Sequence, residues 1–127
     1  MTKFRLLMTA PILAALAFAN SAQAHAKLVT STPAANATVA KPTKISLTFS
    51  EKIMPAFSGA ELVMTTMPGM AMHAPMKMGF TSAMSADGKT MTLLVKRALP
   101  TGTYKLNWHA GGADTHRMTG DFSFTVK

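Results

Sequence analysis

The sequence predicts an all-β protein, an antiparallel β-sandwich of about seven strands in a single domain. Short runs of alternating apolar and polar residues recur along the chain, which is the pattern of half-buried strands. Turn-forming residues separate these runs, and no stretch after residue 24 keeps the 3.6-residue apolar period of a helix. The 127 residues are 48% hydrophobic and 14% charged, which supplies enough apolar surface for one well-packed core.

The first half of the chain contains four of the predicted strands. Two short opening strands, at 28–29 and 38–39, have the weakest pattern. In the third, 45–49, isoleucine, leucine and phenylalanine alternate with serine and threonine, so one face is apolar. The fourth, around 62–64, begins after Gly59.

The second half of the chain contains the remaining three predicted strands. A run rich in β-formers at 90–96 follows the Asp87-Gly88 turn signal. Apolar residues then alternate with polar ones at 104–108 and again at 122–126. Seven strands in about a hundred residues are typical of a β-sandwich.

The N-terminal segment, residues 1–24, has the three-part form of a secretory signal peptide. A basic head precedes the apolar stretch 6–19, which is shorter than the roughly twenty residues that span a bilayer. The segment ends in the small-residue pattern that a signal peptidase recognises, so cleavage is expected after Ala24. The exported domain would then be 25–127, with His25 at its N-terminus and no membrane insertion.

Composition excludes several classes of function. The chain has no cysteine, which excludes disulfide scaffolds, iron–sulfur clusters and thiol nucleophiles. Without residues 1–24, the domain has 11 basic and 5 acidic residues. The lysines are spread singly along the chain, and the domain is exported. We therefore expect no nucleic-acid partner, but a solvated surface with some preference for acidic partners.

The most unusual feature of the sequence is a methionine-rich tract. Seven methionines occur in 21 residues: Met64, Met67, Met70, Met72, Met76, Met78 and Met84. Pro68, Gly69 and Pro75 exclude a continuous helix and a central strand, so the tract is predicted to be largely an exposed loop or edge.

A locally extended tract would group its sulfur atoms. Met70 and Met72 would point to one side, as would Met76 and Met78, and a bend at His73 would bring the two pairs together. Thioether sulfur is a soft donor that suits Cu(I) or Ag(I) rather than hard cations. A single methionine is better explained as core filler, and an adhesive apolar loop is the alternative for the cluster.

A second set of residues has harder donor atoms. The α-amine and imidazole of an N-terminal His25 would chelate one metal ion, and Asp114 and His116 would lie on one face of an extended backbone. Together they supply nitrogen and oxygen ligands, which Cu(II) prefers. The preceding stretch, 110–113, is rich in glycine and predicts a flexible approach to these ligands.

These motifs together resemble the CopC/PcoC family of periplasmic copper-resistance proteins over nearly all of 25–127. The resemblance rests on the following segments: His25-Ala26-Lys27-Leu28, Ser31-Thr32-Pro33, Leu47-Thr48-Phe49-Ser50-Glu51, the methionine tract, Gly102-Thr103-Tyr104, Asp114-x-His116, and Gly120-x-Phe122-Ser123-Phe124-x-Val126. It implies a Greek-key β-barrel or cupredoxin-like sandwich without the ligand set of blue-copper proteins.

The resemblance also implies two copper sites. By position, His25, Asp114 and His116 would bind Cu(II), with Glu51 as a weak axial ligand or hydrogen-bond acceptor. The Cu(I) ligands would come from the methionine tract: Met64, Met67, Met70, His73 and Met76, with Met72 and Met78 in competition.

The sequence thus predicts a periplasmic copper carrier without catalytic turnover. Its expected partners are a membrane copper permease or a multicopper oxidase, and it would be a monomer or a metal-bridged dimer. Two alternatives remain open at this point. One is a copper monooxygenase with an N-terminal histidine, and the other is an immunoglobulin-like interaction module whose methionine loop docks an apolar surface.

Overall fold

The computed structural model describes residues 26–69, 74–113 and 116–127. In these ranges the chain forms nine strands and one short 3-10 helix. The elements are β1 (Leu28–Thr32), β2 (Thr38–Val39), β3 (Lys44–Phe49), the 3-10 helix (Pro55–Phe57), β4 (Gly59–Thr66), β5 (Met76–Met78), β6 (Phe80–Met84), β7 (Thr90–Val95), β8 (Gly102–Gly111) and β9 (Arg117–Val126).

The strands form two sheets, which confirms the predicted β-sandwich. One sheet has four strands in the order β1-β3-β7-β6, and the other has five in the order β2-β9-β8-β4-β5. The pairs are antiparallel except for β2 and β9, which run parallel. At β2, two residues extend the edge of β9 after a crossover from the other sheet.

Two strands that the alternation did not predict lie within the methionine tract. β5 and β6 are separated by Gly79, and the chain crosses there from the five-stranded to the four-stranded sheet. Each is an edge strand of its sheet, consistent with the prediction of a loop or edge. Edge strands are paired on one side only, so their sequences show little of the apolar pattern of central strands.

The core lies between the two sheets and is formed by alternate residues of the long strands. The ring of Phe49 on β3 meets that of Trp108 on β8 edge-on, with centroids 5.2 Å apart. Tyr104 on β8 stacks on Phe124 of β9 at 5.5 Å. Each large apolar side chain buried in this way contributes roughly 2 kcal/mol relative to exposure. This core holds the two sheets in a fixed relative position, and it therefore also positions the loops and strand ends at the two ends of the sandwich.

The sandwich has two ends, which we name by their contents. At the hairpin end lie the beginning of β1, the segment 50–58, and the β6–β7 and β8–β9 connections. At the methionine end lie the end of β4, the beginning of β5 and the β7–β8 connection. Among the described residues, no helix is long and apolar enough to cross a membrane.

Candidate metal sites at the two ends of the sandwich

The hairpin end is organised by the segment 50–54, which follows β3 and bonds to three other elements. Ser50 exchanges two hydrogen bonds with Lys27, since its N–H donates to the Lys27 carbonyl at 2.8 Å and its Oγ accepts from the Lys27 N–H at 3.0 Å. The Ile53 N–H donates to the carbonyl of Gly88 at 2.9 Å, in the β6–β7 turn. The Met54 N–H donates to the carbonyl of Gly111 at 2.7 Å, at the end of β8.

These bonds join the beginning of the domain to the β8–β9 hairpin through one short segment. Ala26 is only 2% exposed and belongs to the core, so the chain is held at the residue that follows His25. Glu51 lies within the bonded segment, and its side chain is exposed. The backbone flanking the predicted Cu(II) ligands is therefore well fixed.

Gly111 corrects the expectation of a flexible approach to the hairpin ligands. Gly111 and Gly112 are both buried, and Gly111 is the last residue of β8. A Cβ on Gly111 would lie 2.7 Å from the Cβ of Phe57, and the Gly111 N–H donates to Ser58 Oγ at 3.1 Å. Glycine is needed here because the 3-10 helix packs directly on the strand, not because the strand must bend.

The structure describes only part of the predicted Cu(II) ligand set. His25 and Asp114 lie outside the described residues, whereas Glu51 and His116 are described and exposed, both at the hairpin end. No three histidine or acidic side chains form a potential metal-binding group within 26–69, 74–113 and 116–127. Because two of the four predicted members lie outside these ranges, the ligand set remains a prediction.

The described methionines of the tract occupy different depths. Met64 is 1% exposed and packs in the core, while Met67 and Met78 are half-buried against its edge. Met76 is 50% exposed. Met70, Met72 and His73 lie outside the described residues.

The register of β4 and β5 places three sulfur-bearing residues on one face. Met76 pairs with Met64, and Met78 pairs with Leu62, so all four residues share the core-facing side of the sheet. Met76 and Met78 lie two residues apart on β5 and therefore on the same side, as predicted for an extended tract. Met64 takes the buried position of this row, and Met76 takes the position that opens to solvent.

A groove of about 230 Å³ lies beside β5 at the methionine end. Its lining is formed by Met76, Lys77, Met78, Gly79, Lys96, Arg97 and Leu99. The groove thus combines thioether groups with three cationic side chains. Lys77 lies 3.9 Å from Glu61, and both of these side chains are largely exposed, so the ion pair contributes little to stability.

A larger cavity of about 470 Å³ lies against the five-stranded sheet and includes His109 in its lining. Partial burial, with a smaller contribution from the charge of Arg117, lowers the pKa of His109. Both effects favour the neutral form of the imidazole over the charged form. His109 is not part of a three-residue metal-binding group among the described side chains.

The fold and the methionine strand define a class: a small two-sheet β-sandwich with a sulfur-rich edge at one end and a tightly bonded hairpin at the other. The chain belongs to the CopC family, since the CopC domain model matches residues 28–127. This confirms the resemblance inferred from the sequence motifs.

Individual relatives agree with this assignment. Copper resistance protein C of Xanthomonas campestris pv. juglandis is 48% identical over 128 residues, covering 100% of both chains. The crystal structure of PcoC, a methionine-rich copper resistance protein from Escherichia coli, is 45% identical and covers 82% of this chain and 100% of its own, with a TM-score of 0.75. CopC from Methylosinus trichosporium OB3b is 25% identical, with a TM-score of 0.69 over 81% of this chain and 94% of its own.

Several residues that organise the two ends could not be found from the sequence. Ser50 and Ser58 look like ordinary turn residues, and their partners Lys27 and Gly111 are 23 and 53 residues away along the chain. No local sequence pattern predicts hydrogen bonds between residues so far apart along the chain. The adjacent cations Lys96 and Arg97 were visible as a charged pair, but only the fold places them beside β5.

Proposed function

We propose that this protein is a periplasmic copper carrier for copper resistance that binds Cu(II) at the hairpin end and Cu(I) at the methionine end. The observation that carries the proposal is the segregation of donor types. The described segments that flank the predicted nitrogen and oxygen ligands lie at one end of the sandwich, whereas the described methionines proposed as Cu(I) ligands, Met67, Met76 and Met78, lie towards the other. The hairpin end also has methionines, such as Met54, but none of them is among the proposed ligands. The relatives are named as copper resistance proteins, which supports copper as the cargo.

The Cu(II) site would consist of His25, Asp114 and His116, with Glu51 nearby. The hydrogen bonds of Ser50 to Lys27 and of Met54 to Gly111 support it, because they hold the flanking backbone at one end. Each nitrogen ligand binds only when deprotonated, so Cu(II) affinity would fall as the pH drops through the histidine and amine range. The site depends on signal cleavage, since the α-amine exists only in the mature chain.

The Cu(I) site would draw its ligands from Met67, Met70, Met72, His73, Met76 and Met78, of which three or four are needed. The partial exposure of Met67, Met76 and Met78 supports their role, because a side chain that reaches the surface is accessible to a copper ion. Met64 was also predicted as a ligand, but it is 1% exposed and is better assigned to the core beneath the site.

The distance between the ends bears on how copper would leave the protein. The row containing Met76 and Met64 meets β8 at Tyr104, seven residues from Gly111. At about 3.4 Å per residue, the two ends are separated by roughly 24 Å. A change of oxidation state would weaken binding at the occupied site. The ion would then pass to a partner, such as a permease or a multicopper oxidase, rather than directly to the other site.

The experiment that tests the proposal titrates the mature domain with Cu(II) and, under reductant, with Cu(I). We expect His25→Ala to abolish tight Cu(II) binding and to leave Cu(I) binding unchanged. The same domain with extra residues before His25 is the matched control, since it keeps the imidazole but removes the free amine next to it. Undiminished Cu(II) binding by the extended chain would contradict the amine chelate.

No catalytic turnover is part of the proposal. Oxygen consumption by the copper-loaded protein with a reductant should not exceed that of free copper at the same concentration. Sustained turnover, or cleavage of a polysaccharide, would instead support a monooxygenase.

A further inference from the structure

The charges of the protein are distributed unevenly between its two ends. Glu61 on β4, Asn107 on β8 and Asp121 on β9 form one row across the five-stranded sheet. On the methionine side of this row lie seven cationic residues: Lys41, Lys44, Lys77, Lys96, Arg97, Lys105 and Lys127. No acidic residue of the described chain lies on that side, because Glu51 and Asp87 are at the hairpin end.

Two of these cations, Lys96 and Arg97, lie beside the methionines of β5. The Lys96 N–H donates to the carbonyl of Gly79 at 3.2 Å, which ties the β7–β8 connection to the crossing between β5 and β6. A Cβ on Gly79 would lie 3.2 Å from the Cδ of Lys96, so the aliphatic part of Lys96 lies over the glycine. Both cations line the groove next to Met76 and Met78. Within the described residues, neither forms an ion pair with a carboxylate.

We propose that the methionine end is a docking surface for an acidic protein segment that exchanges Cu(I) with the protein. The inference rests on the proposed function, since it names the kind of partner that the Cu(I) site would serve. Unneutralised cations around a thioether groove would attract an anionic surface, speed its encounter and orient it over the metal. A partner that carries carboxylates beside soft donor atoms would therefore be favoured.

The shape of this end favours a protein segment over a lipid surface. The cations surround a concave groove whose base includes Met78 and the buried Leu99. Proteins that bind at membrane surfaces insert large apolar and aromatic side chains into the lipid. The exposed large aromatic side chain of the described residues, Phe57 at 53%, lies at the opposite end. The exposed large apolar side chains at the methionine end are Met76, which lines the groove, and Leu94 on β7, and neither is aromatic.

The test measures binding of a synthetic peptide of glutamate and aspartate residues with two methionines to the mature, Cu(I)-loaded protein. A peptide with glutamine and asparagine in place of the acidic residues is the uncharged probe. We expect the acidic peptide to bind, to shift the amide resonances of residues 76–79 and 96–97, and to weaken as salt is raised. The K96E/R97E variant should bind it at least about tenfold more weakly.

The matched control is K27E/K52E, which changes the net charge equally at the hairpin end. We expect less than about a threefold effect from it. Equal losses in the two variants would mean that only net charge matters, and would overturn the proposal. The proposal would also be overturned if the protein did not bind the peptide but bound phosphatidylglycerol vesicles in a way that depends on Lys96 and Arg97.

Measuring Cu(I) stoichiometry on each variant separates this inference from the proposed function. Absence of Cu(I) uptake by the unmodified protein would refute the proposed Cu(I) site itself. Normal Cu(I) uptake with no acidic peptide bound at the methionine end would refute only the docking surface.

Discussion

Gly111 is the residue at which the hairpin end is most closely packed. Its backbone N–H and carbonyl are bonded to Ser58 and Met54, and the Cβ of Phe57 occupies the space that a side chain would need. The 3-10 helix that carries Phe57 thereby supports the strand leading to Asp114. A sequence pattern of consecutive glycines does not distinguish such close packing from flexibility, which is why the approach was expected to be loose.

We predict that Gly111→Ala lowers the free energy of unfolding by about 1–3 kcal/mol, because a contact of 2.7 Å forces the 3-10 helix away from β8. Cu(II) affinity should fall as well, while Cu(I) affinity should be unchanged. Chemical denaturation and separate copper titrations measure these effects. A variant with unaltered stability and Cu(II) affinity would show that this packing does not support the hairpin site.

Tyr104 provides a test of the core at the residue scale. Its hydroxyl donates to the carbonyl of Pro100 at 2.6 Å, and burial raises the pKa of Tyr104 to about 12. The unfolded chain therefore loses this proton first, near its ordinary pKa of 10. The contribution to stability is complete below about pH 10 and is lost as the pH rises towards about 12.

We accordingly expect the free energy of unfolding to fall across this alkaline range. Tyr104→Phe should remove this part of the pH dependence, even though it also removes the hydrogen bond to Pro100. Denaturation at several pH values gives the slope of the free energy of unfolding against pH for the unmodified protein and for the variant. Identical slopes in the two proteins would mean that the phenol is not responsible.

At the scale of elements, β5 determines what the methionine tract presents to solvent. The sequence predicted that Met76 and Met78 share a side, and the register of β4 and β5 confirms it. It did not predict which methionine would be buried, because that depends on the pairing of Met76 with Met64 across the sheet. The two-residue period of a strand determines on which face of the sheet a side chain lies, whereas pairing with a neighbouring strand determines how deeply that side chain is buried.

We predict that the double variant M76L/M78L weakens Cu(I) binding at least tenfold, or about 1.4 kcal/mol, since leucine keeps the volume but lacks the sulfur. M84L/M118L is the matched control, because both residues are partly buried against the core outside β5. It should leave Cu(I) affinity unchanged. Competition with a Cu(I) chelator measures both, and equal affinities in all three proteins would remove β5 from the site.

At the scale of the whole molecule, the alternating strands predicted the two-sheet architecture well. Runs such as 45–49 and 122–126 have one strictly apolar face, and such a face must be covered by another layer. The short edge strands β5 and β6 were missed, since edges lack this requirement. The separation of the two ends also could not be predicted, because it follows from how distant strands pair and not from any local motif.

The most direct test of the central claim is X-ray absorption spectroscopy of the mature protein loaded with copper in each oxidation state. The account predicts nitrogen and oxygen neighbours without sulfur for Cu(II), and a shell dominated by sulfur for Cu(I). An identical set of neighbours in both states would contradict it, because the two ions would then occupy one site.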